Sequence, residues 1–128
     1  MKLSKTEEQL MEIIWTLEKC FLKEIIDSYP KQKPATTTVA TLLKRLQDKG
    51  AVAYNLFGNS RQYYSLIPKK DYFKKHVSEM VKGFFGDSAL QFASFFTTSG
   101  NLSVQELEEL KKIVEQEIKQ QQNGNLFD

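Results

Sequence analysis

The chain has little with which to cross-link itself or hold a metal. Its 128 residues include one cysteine and one histidine. A single thiol excludes an intramolecular disulfide and any cysteine-rich metal cluster. One histidine cannot build a zinc site without several carboxylates. Cys20, beside Phe21, fits a buried structural thiol better than a redox sensor, since no basic neighbour is assured to lower its pKa. His76 follows Lys74 and Lys75 and reads as a surface or interface residue. No apolar run approaches a membrane span. Met1-Lys2-Leu3 leads directly into charged helix rather than a signal peptide. A cytoplasmic protein without membrane insertion is therefore expected. No Ser/His/Asp order, nucleotide loop or H-E-x-x-H occurs, so neither an enzyme nor a cofactor is expected. The length suits one domain, or a small domain with an appendage.

What the middle of the chain lacks is acid. The net charge of +2 says little, but its distribution says more. Residues 31–70 hold Lys31, Lys33, Lys44, Arg45, Lys49, Arg61, Lys69 and Lys70 against Asp48 alone, a net of +7. Residues 87–128 carry a net of −4, three lysines against seven acids. A basic middle and an acidic end suggest a polyanion-binding part joined to a part with another task.

The basic stretch contains a two-faced helix. At about 100° per residue, Thr37, Thr38, Thr41, Lys44, Arg45 and Asp48 fall within roughly a third of the circumference. Val39, Leu42, Leu43 and Leu46 fall opposite, where they must dock on a core. Threonines with a Lys–Arg pair suit phosphate oxygens and base edges in a DNA groove. An ordinary solvated helix face has the same composition, and the neighbouring elements favour the first reading. Gly50 is placed to stop the helix. Residues 51–57 and 61–67, rich in β-branched and aromatic residues, predict a hairpin around Gly58-Asn59. Tyr63 and Tyr64 alternate on its second strand, and at least one should pack inward. Upstream, Ser4-Lys5-Thr6-Glu7 has the form of a capping box. It predicts a helix from Ser4 to near Lys19, with Leu10, Met11, Ile14, Trp15 and Leu17 as its apolar stripe. A shorter helix fits Leu22–Tyr29, with Leu22, Ile25 and Ile26 inward. Pro30 and Pro34 bracket a basic loop.

Three helices and then a two-stranded wing is the order of a winged helix-turn-helix. The expected fold is mainly α with a small β-hairpin wing: a winged domain over residues 1–68, then a helical dimerisation region over 69–128. Helices are expected at about 69–84, 87–97 and 103–122, with Gly86-Asp87 between the first two. Thr97-Thr98-Ser99-Gly100-Asn101 reads as a loop, and Ser103-Val104-Gln105-Glu106 as a second capping box. The polar tail from Gln120 should be frayed. Phe73, Val77, Met80, Val81, Phe84, Phe85, Leu90, Phe92, Phe95 and Phe96 crowd this region. So short a region cannot hide that surface alone. It must fold back on the winged domain or pair with a second copy, and two-fold symmetry on DNA favours the homodimer. The expected dimer contacts are Phe73, Val77, Met80, Phe84, Leu90, Phe92, Phe95, Phe96, Leu107, Leu110, Ile113 and Val114. The expected DNA contacts are Thr37, Thr38, Thr41, Lys44 and Arg45, with Asn59, Ser60 and Arg61 of the wing on backbone or minor groove.

Several stretches together resemble one family. They are Ile13-Ile14-Trp15, the T-x-x-T-L-L-x-R-L run at Thr38–Leu46, the Gly50 stop and Gln62-Tyr63-Tyr64-Ser65, then Leu90-Gln91-Phe92-Ala93 and Gln105-Glu106-Leu107-Glu108-Glu109-Leu110. In this order, over nearly the whole chain, they resemble the beta-lactamase and methicillin-resistance repressors, the BlaI/MecI/CopY family. The resemblance implies a homodimeric bacterial transcriptional repressor that binds an inverted-repeat, double-stranded DNA operator. It also implies inactivation by a membrane sensor metalloprotease, which cuts such repressors at an Asn-Phe bond. The matching pair here is Gln91-Phe92, with glutamine for asparagine. The copper-sensing branch ends in a cysteine cluster that this chain does not have, so copper sensing is disfavoured. The family's common K-T-I-R-T aligns with Thr37-Thr38-Val39-Ala40-Thr41: Thr38, Thr41 and Arg45 carry over, whereas Thr37 and Ala40 replace the cations. The operator of better-known members therefore does not transfer. Two other readings stay open: a winged-helix module that binds an acidic protein, and a ligand-sensing winged-helix regulator not controlled by proteolysis.

Overall fold

The computed structural model describes residues 1–125, so the last three residues of the expected frayed tail lie outside the described residues. The chain divides into two compact units, one spanning Met1–Lys75 and one beginning at His76. The expected boundary at 68/69 falls at the foot of a helix whose first turns belong to the first unit.

The first helix, α1 (Lys5–Leu17), begins as its capping box requires. Ser4 Oγ accepts the Glu7 N–H at 3.2 Å, and Glu7 Oε1 accepts the Ser4 N–H at 2.8 Å. It ends at Leu17, two residues before the expected Lys19, with Glu18 as its cap at φ +67°. The following residues form a strand that the sequence did not announce, β1 (Lys19–Phe21). Three residues are too few to show alternation. The next helix, α2 (Leu22–Asp27), stops before the expected Tyr29. The helix α3 (Thr36–Asp48) and its glycine stop are as expected, with Gly50 at φ +79°.

The hairpin strands are β2 (Val52–Phe57) and β3 (Ser60–Ser65). The expected two-stranded wing is in fact three-stranded at its base, in the order β1-β3-β2, all antiparallel. Cys20 pairs with Tyr63, and Tyr63 with Tyr54, so these three share the inner face. Tyr63 is buried there, and Tyr64 is half-buried on the opposite face. Leu10, Met11, Ile14, Ile25, Val39, Leu43, Leu46 and Val52 close the core. Cys20 sits within it, in a strand rather than at a helix end. Burial first, and the Glu24 carboxylate second, push its thiol up to about 11, which leaves it unreactive.

One charge is buried in this unit. Glu7 is 3% exposed, and its carboxylate meets the Lys49 ammonium at 2.7 Å. Burial pushes the Glu7 carboxyl up. The Lys49 bond and the two Ser4 bonds together outweigh burial and hold it below the ordinary carboxylate range. A depressed carboxyl adds stability that is present above its unfolded pKa and lost as pH falls through the folded value. Glu7→Gln should cost about 1–2 kcal/mol in urea unfolding at neutral pH and much less near about pH 3. An equal cost at both would remove the ion pair from the account.

The remaining helices are α4 (Lys69–Phe85), α5 (Ala89–Ser99) and α6 (Val104–Asn125). The turn at Gly86-Asp87 has positive φ at both residues, as its position between helices demands. The expected loop at Thr97–Asn101 is shorter than the composition suggests. Thr97 and Thr98 are helical, and their hydroxyls donate back to the Ala93 and Ser94 carbonyls at 2.9 and 2.7 Å instead of capping a loop. Ser103 and Glu106 form the expected capping box at the start of α6. That helix continues past Gln120, so residues 120–125 are helical rather than frayed.

Candidate nucleic-acid interface

The α3 helix separates its two chemistries completely. Val39, Leu42, Leu43 and Leu46 are buried, whereas Thr37, Thr38, Thr41, Lys44, Arg45 and Asp48 are all exposed. Burial of one side against the core fixes which side faces outward, so the outer face is presented on a rigid element. Thr41 donates its hydroxyl to the Thr37 carbonyl at 2.9 Å, which holds its rotamer and leaves its oxygen free to accept. Ala35 precedes the helix and supplies no side-chain cap, so the first N–H groups are not consumed by one. Lys44 and Asp48 stand 3.9 Å apart and exposed, a pairing too weak to withdraw the lysine from an anionic partner.

The wing residues Asn59, Ser60 and Arg61 are exposed as well. The Arg61 guanidinium lies 4.4 Å from the centre of the Tyr54 ring, which orders the side chain before any ligand arrives. A hollow of about 350 Å³ beside the wing is lined by Phe21, Leu22, Lys23, Asn59, Ser60, Arg61 and Tyr63. Lys23 thereby joins the wing cation. Sequence reasoning missed it, since only the pairing of β1 with β3 brings α2 to the wing. Gln47, on α3, lines another hollow with Tyr54, Asn55 and Leu56 of β2.

Beyond the first unit, the surface mixes exposed large apolar side chains with more acid than base. Of the twelve residues expected at a dimer contact, only Phe92 and Leu110 are half-buried, and the rest are exposed. Phe84 and Leu90 are 83% and 84% exposed. Phe92 packs edge-on to Phe85 at 5.6 Å and stacks on Phe96 at 6.2 Å. Phe73 belongs to the first unit, where its ring lies 6.2 Å from Trp15. Gln91 is exposed on α5, a helix with no buried residue. Among the described residues no cluster of His, Cys, Asp or Glu could hold a metal ion, and no helix is long and apolar enough to cross a membrane.

Comparison with known proteins agrees with this geometry. The family model described as "Penicillinase repressor" matches residues 3–116. The methicillin resistance regulatory protein MecI of Staphylococcus aureus (strain N315) is 30% identical over 118 residues, covering 88% of this chain and 93% of that protein. The penicillinase repressor of Bacillus licheniformis is 26% identical over 116 residues, covering 90% and 91%. Among solved structures, the solution structure of the DNA binding domain of the repressor BlaI matches with a TM-score of 0.50 at 29% identity. It covers 56% of this chain and 88% of that one.

Proposed function

The chain belongs to the penicillinase repressor family, and from that premise we propose how it represses transcription. It binds an inverted-repeat DNA operator as a homodimer in the cytoplasm. Each α3 lies in a major groove, with Thr38, Thr41 and Arg45 toward base edges and Thr37 and Lys44 toward phosphate. Asn59, Ser60 and Arg61 hold the backbone or minor groove. The observation that carries this reading is the α3 outer face, where exposed hydroxyls and cations outnumber Ala40 and the single acid Asp48, on a helix locked into the core from its other side. The exposed phenylalanines and leucines of α4–α6 support the dimer, because water-exposed apolar surface on this scale gains by being covered.

The test starts from a duplex that the full-length protein selects out of a random pool. Affinity should fall steeply with salt and exceed that for random duplex. Arg45→Ala should cost about 1–3 kcal/mol on the selected site and little on random DNA. Lys44→Ala should weaken both similarly and flatten the salt slope by about one. A protein with no preference among duplexes would instead be a winged-helix module for an acidic protein.

The reading extends to release. A cut at Gln91-Phe92 would separate Phe95, Phe96 and α6 from the winged unit, and with them much of the apolar surface that a second copy would cover. A protease needs extended chain, so α5 must open first. Its lack of buried residues, and the turns at Gly86 and Gly100 on either side, keep that opening cheap. Co-expression with a membrane sensor metalloprotease under induction should produce a new terminus at Phe92 by mass spectrometry. An intact chain during full derepression would point to a bound ligand as the switch.

A further inference from the structure

The hollow beside the wing gathers two cations from stretches far apart in sequence. Lys23 comes from α2 and Arg61 from β3, and both line it. The β1 strand joins them: Phe21 pairs with Gln62, which sets Lys23, two residues on, beside Arg61. Asn59 and Ser60 of the wing add a carboxamide and a hydroxyl, over the aromatic wall of Tyr63. Neither cation is spent on a carboxylate. The α2 helix carries two acids, Glu24 and Asp27. Glu24 Oε1 accepts the Phe21 N–H at 2.8 Å. Asp27 is spaced to pair with Lys23 across one helical turn, but meets Lys33 at 3.4 Å instead. No acid lies between Asp48 and Asp71, so the hairpin brings none. Among the described residues neither Lys23 nor Arg61 forms an ion pair. Arg61 rests on the Tyr54 ring, which steadies its charge without neutralising it.

We propose that this hollow seats one phosphate of the operator backbone, gripped by Lys23 from α2 and by Arg61 from the wing. The proposal rests on the reading of the protein as a DNA-binding repressor, and it adds Lys23 to the contacts. A phosphodiester has two non-bridging oxygens that share one charge, so each cation can take one. The Ser60 hydroxyl and the Asn59 amide are further donors. Fully buried Ile25 fixes α2 to the core, and the β1–β3 ladder fixes the base of the wing. The spacing of the two cations is therefore set before DNA arrives, and little ordering remains to oppose binding. Such a contact reads no base. It holds the wing and α2 on the backbone while α3 reads the groove.

The experiment uses the full-length protein, the duplex it selects and random duplex. Lys23 is exposed, so its substitution should not disturb the fold. Lys23→Gln keeps most of the stem and removes the charge. It should weaken both duplexes alike, by about three- to tenfold at physiological salt, and flatten the salt slope by about one per half-site. Lys23→Arg keeps the charge and should bind within about twofold of wild type. A merely structural role would lower the melting temperature and leave the salt slope unchanged, against the proposal. The seat is then located on selected duplexes that carry one uncharged methylphosphonate per half-site, moved along the backbone. At one position Lys23→Gln should cost less than about twofold, and Arg61→Ala should lose its effect at that same position. If the two variants fall silent at different positions, or Lys23→Gln at none, the shared seat is overturned. Inorganic phosphate should displace duplex no better than chloride at equal ionic strength. A larger effect would assign the hollow to a free anion and overturn the proposal. Lys23→Gln that binds like wild type, while Arg45→Ala still weakens the selected site, overturns this proposal and leaves the reading of α3 standing. A wild type with no preference among duplexes defeats that reading, and this proposal with it.

Discussion

A chain ended at Lys75 should fold, sediment as a monomer and bind its operator about 10²–10⁴-fold more weakly than the full-length protein. The folding half of this expectation rests on the first unit's own core, which includes Leu10, Met11, Ile14, Leu43 and Leu46. The weakening follows from linkage. When two half-site contacts are joined, the second is made at the high effective concentration set by the first, and a monomer forgoes it. What joins them in the proposal is the apolar surface of α4–α6, where Phe84, Leu90 and Ile113 stand largely open to water. Sedimentation of both proteins, with gel shifts on the selected duplex, checks each half. Full-length protein that sediments as a monomer at micromolar concentration would sink the dimer, and truncation would then leave affinity unchanged.

Leu46→Ala should lower stability by about 2–5 kcal/mol, a large share of the roughly 5–15 kcal/mol that holds a domain together. Leu46 is fully buried, on the side of α3 that faces the core. Its removal leaves a cavity that packed neighbours fill only in part. In urea the midpoint should fall with the slope unchanged. Exposed Thr37, one face away, should tolerate alanine within about 0.5 kcal/mol. The contrast has a functional consequence: Leu46→Ala should weaken DNA binding only through the fraction unfolded, whereas an outer-face substitution should weaken it in fully folded protein. A Leu46→Ala loss below about 1 kcal/mol would mean that α3 is seated by something other than its apolar side.

The sequence alone determined the elements whose signals are local. Helix periodicity by itself separated the two faces of α3, since spacing along one helix decides which side chains share a side. Ser4 and Ser103 marked helix starts because a cap is an interaction across three residues. Gly50 marked a stop because a left-handed residue is needed there. The exposed face of α3 and the wing tip were therefore legible. The tertiary structure decided whatever depends on partners distant in the chain. The β1 strand exists only through its pairing with β3, some forty residues on, which shortened α1 and carried Lys23 to the wing. Trp15 looked like one more member of an apolar stripe, and its bonds to Ser65 and Ile67 cross about fifty residues. Strand pairing and the packing of a ring are choices among all the surfaces a folded chain offers, and no window of neighbouring residues contains them.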